Sequence, residues 1–260
     1  MPRNLFGFAA VIVLAQPCMA EQTAATAETL IRLTLHPAAA PRPALKYRLL
    51  PDLLEMKPGN PIQGYMKCMM EQRKFLFDEE AIRRRETLLA MPLKELNAQE
   101  LKEDGQYALA LADAAARLDN PDWATLERLK SDGYNLLLPE VQQIRSVVRA
   151  LQVRFRAEIA QSRFDDAIRT AKTMFAIARH LGEHPTVIGN LVGMAAASVT
   201  IYHFDELLQQ PGCPNLYWAL TNLPSPLIRV DKGLDGERAC MTWCFRALDD
   251  RALILPPLPF

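Results

Sequence analysis

Apolar positions recur at three- and four-residue steps over most of this chain, the period of helices with one buried face. The clearest stripe follows Pro139 and runs through Val141, Ile144, Val148, Leu151, Phe155 and Ile159. A turn at 161–163 leads into a second helix over 164–182, with Ala167, Ala171, Phe175, Ala178 and Leu181 inward, closed by Gly182 and Pro185. A third, over 186–208, carries Gly189, Gly193 and Ala197 at four-residue steps, where a neighbouring backbone can approach closely. Residues 185–202 hold no charged side chain, a run near the ~20 residues of a membrane span. Thr186, Asn190, Ser198 and Thr200 dilute its hydrophobicity, so a buried central helix is expected.

Upstream, Pro61 opens a helix to about Leu76, with Ile62, Tyr65, Met66, Met69 and Met70 on one side. Asp78 caps a helix over 79–91 that stops before Pro92. Asn97 with Glu100 is a capping box for a helix over 99–118, ended by Asp119, Asn120 and Pro121. A short helix is expected over 122–133. Residues 21–60 differ, because Pro37, Pro41, Pro43, Pro51 and Pro58 each bar a helix interior. They read as an extended proline-rich arm wrapped onto the helical body.

Helices of ~15–20 residues joined by short polar turns predict an all-α fold. The expected arrangement is helical hairpins packed as a tetratricopeptide-like right-handed solenoid or array. Ala160, Ser162, Phe164 and Ala167 resemble the middle of such a repeat. Pro185 departs from the pattern, because the repeat's closing proline belongs about twelve residues after the alanine.

The first twenty residues have the three parts of a secretory signal peptide. Arg3 is the positive end, Leu5 to Ala15 the apolar run, and Gln16 and Pro17 the break before a small-residue site ending at Ala20. Cleavage there predicts an exported protein, periplasmic or extracellular. Membrane association follows only if this segment stays uncleaved or Cys18 is lipidated. Removing Arg3 leaves 29 basic against 30 acidic side chains, a balance that argues against a nucleic-acid partner. Cys68, Cys213, Cys240 and Cys244 remain, and spacing allows three pairings. Cys240 and Cys244 sit at i, i+4, awkward geometry for a disulfide, so buried thiols are favoured.

Candidate chemistry is sparse. His180, Glu183 and His184 spell the inverted zinc-peptidase motif H-x-x-E-H, but Gly182 and Pro185 end the helix that would have to hold it. His180 reads instead as a helix C-terminal residue complementing the dipole, with Glu183 and His184 in the turn. His203, Asp205 and Glu206 read as the solvated end of the third helix, and Asp165–Asp166 and Glu79–Glu80 as helix-start acids. No catalytic, cofactor-binding or metal-binding set emerges, so no cofactor is expected. The segment 211–228 is the most distinctive: Tyr217 and Trp218, with Asn215, lie between prolines as a possible binding surface or a cap on the core.

DGYNLLLPEVQ, AQSRFDDAIRT, FAIARHLGEHPT and PNLYWAL, within residues 123–228, resemble a family of secreted helical proteins common in planctomycete bacteria. ALKYRLLPDLLEMKPGN is similar to the family's opening. The resemblance implies export and an α-helical body, and it carries no functional residues. Residues 233–260 do not follow the family. The expected division is a signal peptide at 1–20, an arm at 21–60, a helical domain at 61–232 and an atypical C-terminal tail at 233–260, possibly truncated. The function expected is an exported scaffold or binding module with a protein or cell-envelope partner; the alternative is an extracytoplasmic hydrolase with scattered catalytic groups.

Overall fold

A computed structural model describes residue 39 and residues 46–96, 105–133 and 136–252. The signal segment with Cys18, most of the proline-rich arm, the Asn97–Glu100 box and residues 253–260 lie outside them. The described residues are mostly helical and contain no strand.

Asn60 starts α1 (Pro61–Glu71): its Oδ1 accepts from Ile62 N at 3.0 Å while Pro61 fills the first turn. The helix expected to reach Leu76 breaks at Gln72 into α1 and α2 (Arg73–Phe77). The break turns Leu76 into the core, and Arg85 donates to the α2-terminal carbonyls of Phe75 and Leu76 at 2.5 Å each. Asp78 then caps α3 (Glu79–Ala90), and Met91, before Pro92, is extended. A single 3₁₀ turn follows at Leu93–Glu95.

Helix α4 (Gln106–Ala115) is shorter than the sequence pattern suggests. Gly105 precedes it at φ +73°, a left-handed conformation that a helix continuing from upstream cannot contain. A Cβ there would also lie 2.1 Å from the Phe75 ring, so any larger residue would have to displace that ring. After α5 (Thr125–Asp132) come three long consecutive helices, α6 (Pro139–Ala160), α7 (Phe164–Gly182) and α8 (Val187–Leu208). Every residue of the two predicted inward stripes on α6 and α7 is buried. Phe155 of α6 and Phe175 of α7 both meet Phe204 of α8, with ring centroids 5.8 and 5.9 Å apart. Gly193 lets α8 close on α7: a Cβ there would come within 2.8 Å of Ala178 O.

Helix α8 is central on one face only. Its inner face packs on α6 and α7, while Ile188, Leu191, Ile201 and Tyr202 are more than half exposed. It is long and apolar enough to cross a membrane by length and composition, as its sequence suggests.

Residues 46–60 run without helix along the body. Leu49 enters the core, the Tyr47 hydroxyl donates to Asp165 at 2.8 Å, and Glu55 pairs with Lys172 at 2.7 Å. After the short α9 (Tyr217–Thr221), α10 (Asp231–Ala252) spans the boundary expected at residue 233. It packs on α8 and α5. Lys232 pairs with Glu183, and Glu237 accepts from Val187 N at 3.3 Å.

Candidate functional site

A cleft opens between α3, α4 and α6. Ala81 of α3, Ala110 of α4, and Ala150 and Ala157 of α6 face one another, leaving a cleft of about 820 Å³. Phe75, Leu88, Leu109 and Val153 add apolar wall; five cationic and four acidic side chains also line it.

A polar cluster forms its base. Arg154 donates from both terminal nitrogens to Asp113, at 2.8 and 2.7 Å, a two-pronged charge-assisted pair. Thr173 Oγ1 donates to the same carboxylate at 2.8 Å. Thr170 Oγ1 donates to Glu158 at 2.6 Å. Burial raises the pKa of Glu158; the Thr170 hydrogen bond and Arg154 oppose that rise. Arg154 Nε is 3.9 Å from Glu158 and has no hydrogen-bond partner among the described residues.

Tyr217 and Trp218 lie elsewhere. They sit on α9, half-buried, their rings edge-to-face with centroids 5.2 Å apart. Asn215 Oδ1 accepts from Tyr217 N at 2.9 Å, which starts the helix. Leu216, just before α9, and Ala219 within it enter the core, and neither aromatic ring lines the cleft.

His180 and His184 belong to the interior. His180 Nδ1 lies 2.8 Å from the buried Tyr65 hydroxyl, and its carbonyl accepts from Trp123 Nε1 at 2.9 Å. His184 Nδ1 lies 2.8 Å from Thr186 Oγ1, its ring edge-on to Trp123. Burial lowers both pKa values to about 4, with Arg179 acting on His180 and Arg128 on His184 in the same direction. His180 is therefore neutral near pH 7 and does not complement the helix dipole as a cation. Among the described residues, no three His, Cys, Asp or Glu side chains are placed to hold a metal.

His203 overturns the expectation of a solvated helix end. It is buried, with Nε2 at 3.2 Å from Gln152 and Nδ1 at 3.2 Å from Glu206. The adjacent Arg156, only 3 % exposed, donates twice to Glu206 at 2.8 Å. It also reaches the carbonyls of Leu88, Leu89 and Met91 at 2.8–3.0 Å, binding the end of α3 to α6 and α8. Burial pushes Glu206 up, yet Arg156 and His203 outweigh it and hold the carboxyl below its ordinary value. The sequence signal for both clusters is the same: Arg154, Arg156 and Glu158 stand immediately beside Phe155 and Ile159 of the α6 stripe. Their partners on α3, α4, α7 and α8 are set by the packing.

Cys68 and Cys213 form no disulfide among the described residues, and burial raises the pKa of Cys68 to about 11. Comparison with known families, curated proteins and solved structures finds no match to this chain.

Proposed function

We propose that this chain is an exported helical binding module that holds a segment of a protein or cell-envelope partner in the cleft between α3, α4 and α6. The observation that carries the reading is the state of the carboxylates at the cleft base. Asp113 is engaged by Arg154 and Thr173, and Glu158 by Thr170. A hydrolase needs a base or nucleophile free to meet its substrate, whereas a binding cleft needs apolar wall and a few fixed polar groups. Charge of both signs beside an apolar wall suits a peptide better than a phosphate backbone.

Export rests on the pattern of residues 1–20, and the α6–α7–α8 succession is read as a tetratricopeptide-like array that holds the cleft rigid. The paired rings of Tyr217 and Trp218 then serve as a cap on the core with Asn215 as its turn. Affinity capture from the protein's own cell envelope tests the reading. Wild type should retain a reproducible partner, and Ala110→Trp, which fills the cleft from an exposed position, should lose it with unchanged helicity. Absence of any reproducible partner, or equal retention by the variant, refutes it.

The hydrolase reading keeps one supporting observation, the raised pKa of Glu158 beside Asp113. Turnover of an envelope polymer that disappears in Glu158→Gln would establish it in place of the binding module.

A further inference from the structure

We propose that two copies of this chain associate through the outward face of α8. The proposal is independent of the cleft. Leu191, Met194, Ala195, Ser198, Ile201, Tyr202 and Leu208 are all exposed and repeat at three- and four-residue steps, the spacing of a helix–helix seam. No charged side chain falls between Pro185 and Tyr202. A helix whose inner side already supplies the core does not need this second apolar stripe for the fold of a single copy.

The stripe is self-complementary. Leu191, Ala195, Ser198 and Tyr202 read large, small, small, large about a midpoint between 195 and 198. An antiparallel crossing of α8 on its copy sets Leu191 against the second copy's Tyr202 and the small pair against the small pair. Contacts that repeat under a two-fold rotation define an isologous interface. Ala195 and Ser198 at the crossing point let the two backbones approach, as small residues do in close helix pairs.

The area is sufficient. Ile188, Leu191, Met194, Ile201, Tyr202 and Leu208 are 36–70 % exposed, about half on average. Taking roughly 180 Å² for a large side chain, they offer about 550 Å² per copy, or about 1,100 Å² across a two-fold interface. That clears the roughly 1,000 Å² expected of a specific contact. A lipid surface fits less well. The inner face of α8 is held to α6 and α7 by the Asn190 and His203 hydrogen bonds, so the helix is not free to leave the body for a bilayer.

Sedimentation equilibrium of the full chain tests the proposal. Wild type should sediment at about twice 29.2 kDa at tens of micromolar. Ala195→Arg, a charge placed at the crossing point, should raise the dissociation constant about 100-fold with unchanged circular dichroism. Ser198→Cys should form an interchain disulfide on mild oxidation, faster than Ser131→Cys on another exposed surface. A wild-type monomer at roughly 100 µM, an Ala195→Arg protein that dimerises like wild type, or equal cross-linking at 198 and 131 overturns the dimer. So does a monomer that cosediments with phosphatidylcholine vesicles through the same face, an outcome that assigns the stripe to lipid.

Discussion

Acid should destabilise this fold through two histidines in particular. His180 and His184 are buried and neutral, with pKa values pushed to about 4 against 6.5 in the unfolded chain. Below pH 6.5 the unfolded state takes up protons that the folded state refuses, so stability falls as pH drops from 6.5 towards 4. At pH 5 each histidine has cost about 2 kcal/mol relative to pH 7, about 4 kcal/mol for the pair, treated as independent. That is a large share of the 5–15 kcal/mol typical of a domain. His203, lowered mainly by burial, adds in the same direction, while Glu158, raised by burial, works against it. The assay is urea unfolding followed by circular dichroism at pH 7, 6 and 5. His180→Gln keeps a polar partner for the Tyr65 hydroxyl but cannot titrate, so it should remove about half of the fall. Stability that stays flat between pH 7 and 5, or NMR titration of His180 and His184 near 6.5, would refute the argument.

Three further outcomes follow from the packing. Arg156→Met should cost about 3–5 kcal/mol in urea unfolding, because it strands Glu206 and three carbonyls. Adding Glu206→Met should recover part of that loss, and a double mutant no better than the single would count against the pairing. Gly236→Ala places a Cβ 2.0 Å from Pro185 O, so it should lower the melting temperature and reduce amide protection in 231–252. Helix propensity alone favours alanine by about 1 kcal/mol, so a rise in melting temperature would show that α10 does not pack this closely. Asp78→Ala should cost about 1 kcal/mol by removing the α3 cap, read from the urea midpoint.

The long helices were the most legible part of the chain. Their apolar stripes are local patterns, and α6, α7 and α8 bury the residues those patterns select. The cap at Asp78 was legible too, since it acts within two residues of its own position; those at Asn60 and Thr186 emerged only with the structure. Gly105 was not legible: the sequence pattern runs a helix through it, and only the structure shows its left-handed backbone beside the Phe75 ring. The cleft was not legible at all. Alanines on α3, α4 and α6 look like ordinary helix formers until packing brings them face to face.

Charge shows the same division. The order of residues placed His180, His203 and Glu206 near helix ends, and a position near an end suggested solvent. Tyr65 and Trp123, from 115 and 57 residues away, close over His180 instead. Periodicity and capping, being local, determined an all-α chain and which face of each long helix turns inward. Whether a buried charge is paired, a histidine neutral or a second apolar face left uncovered depends on groups distant in sequence, and only the tertiary structure decided those.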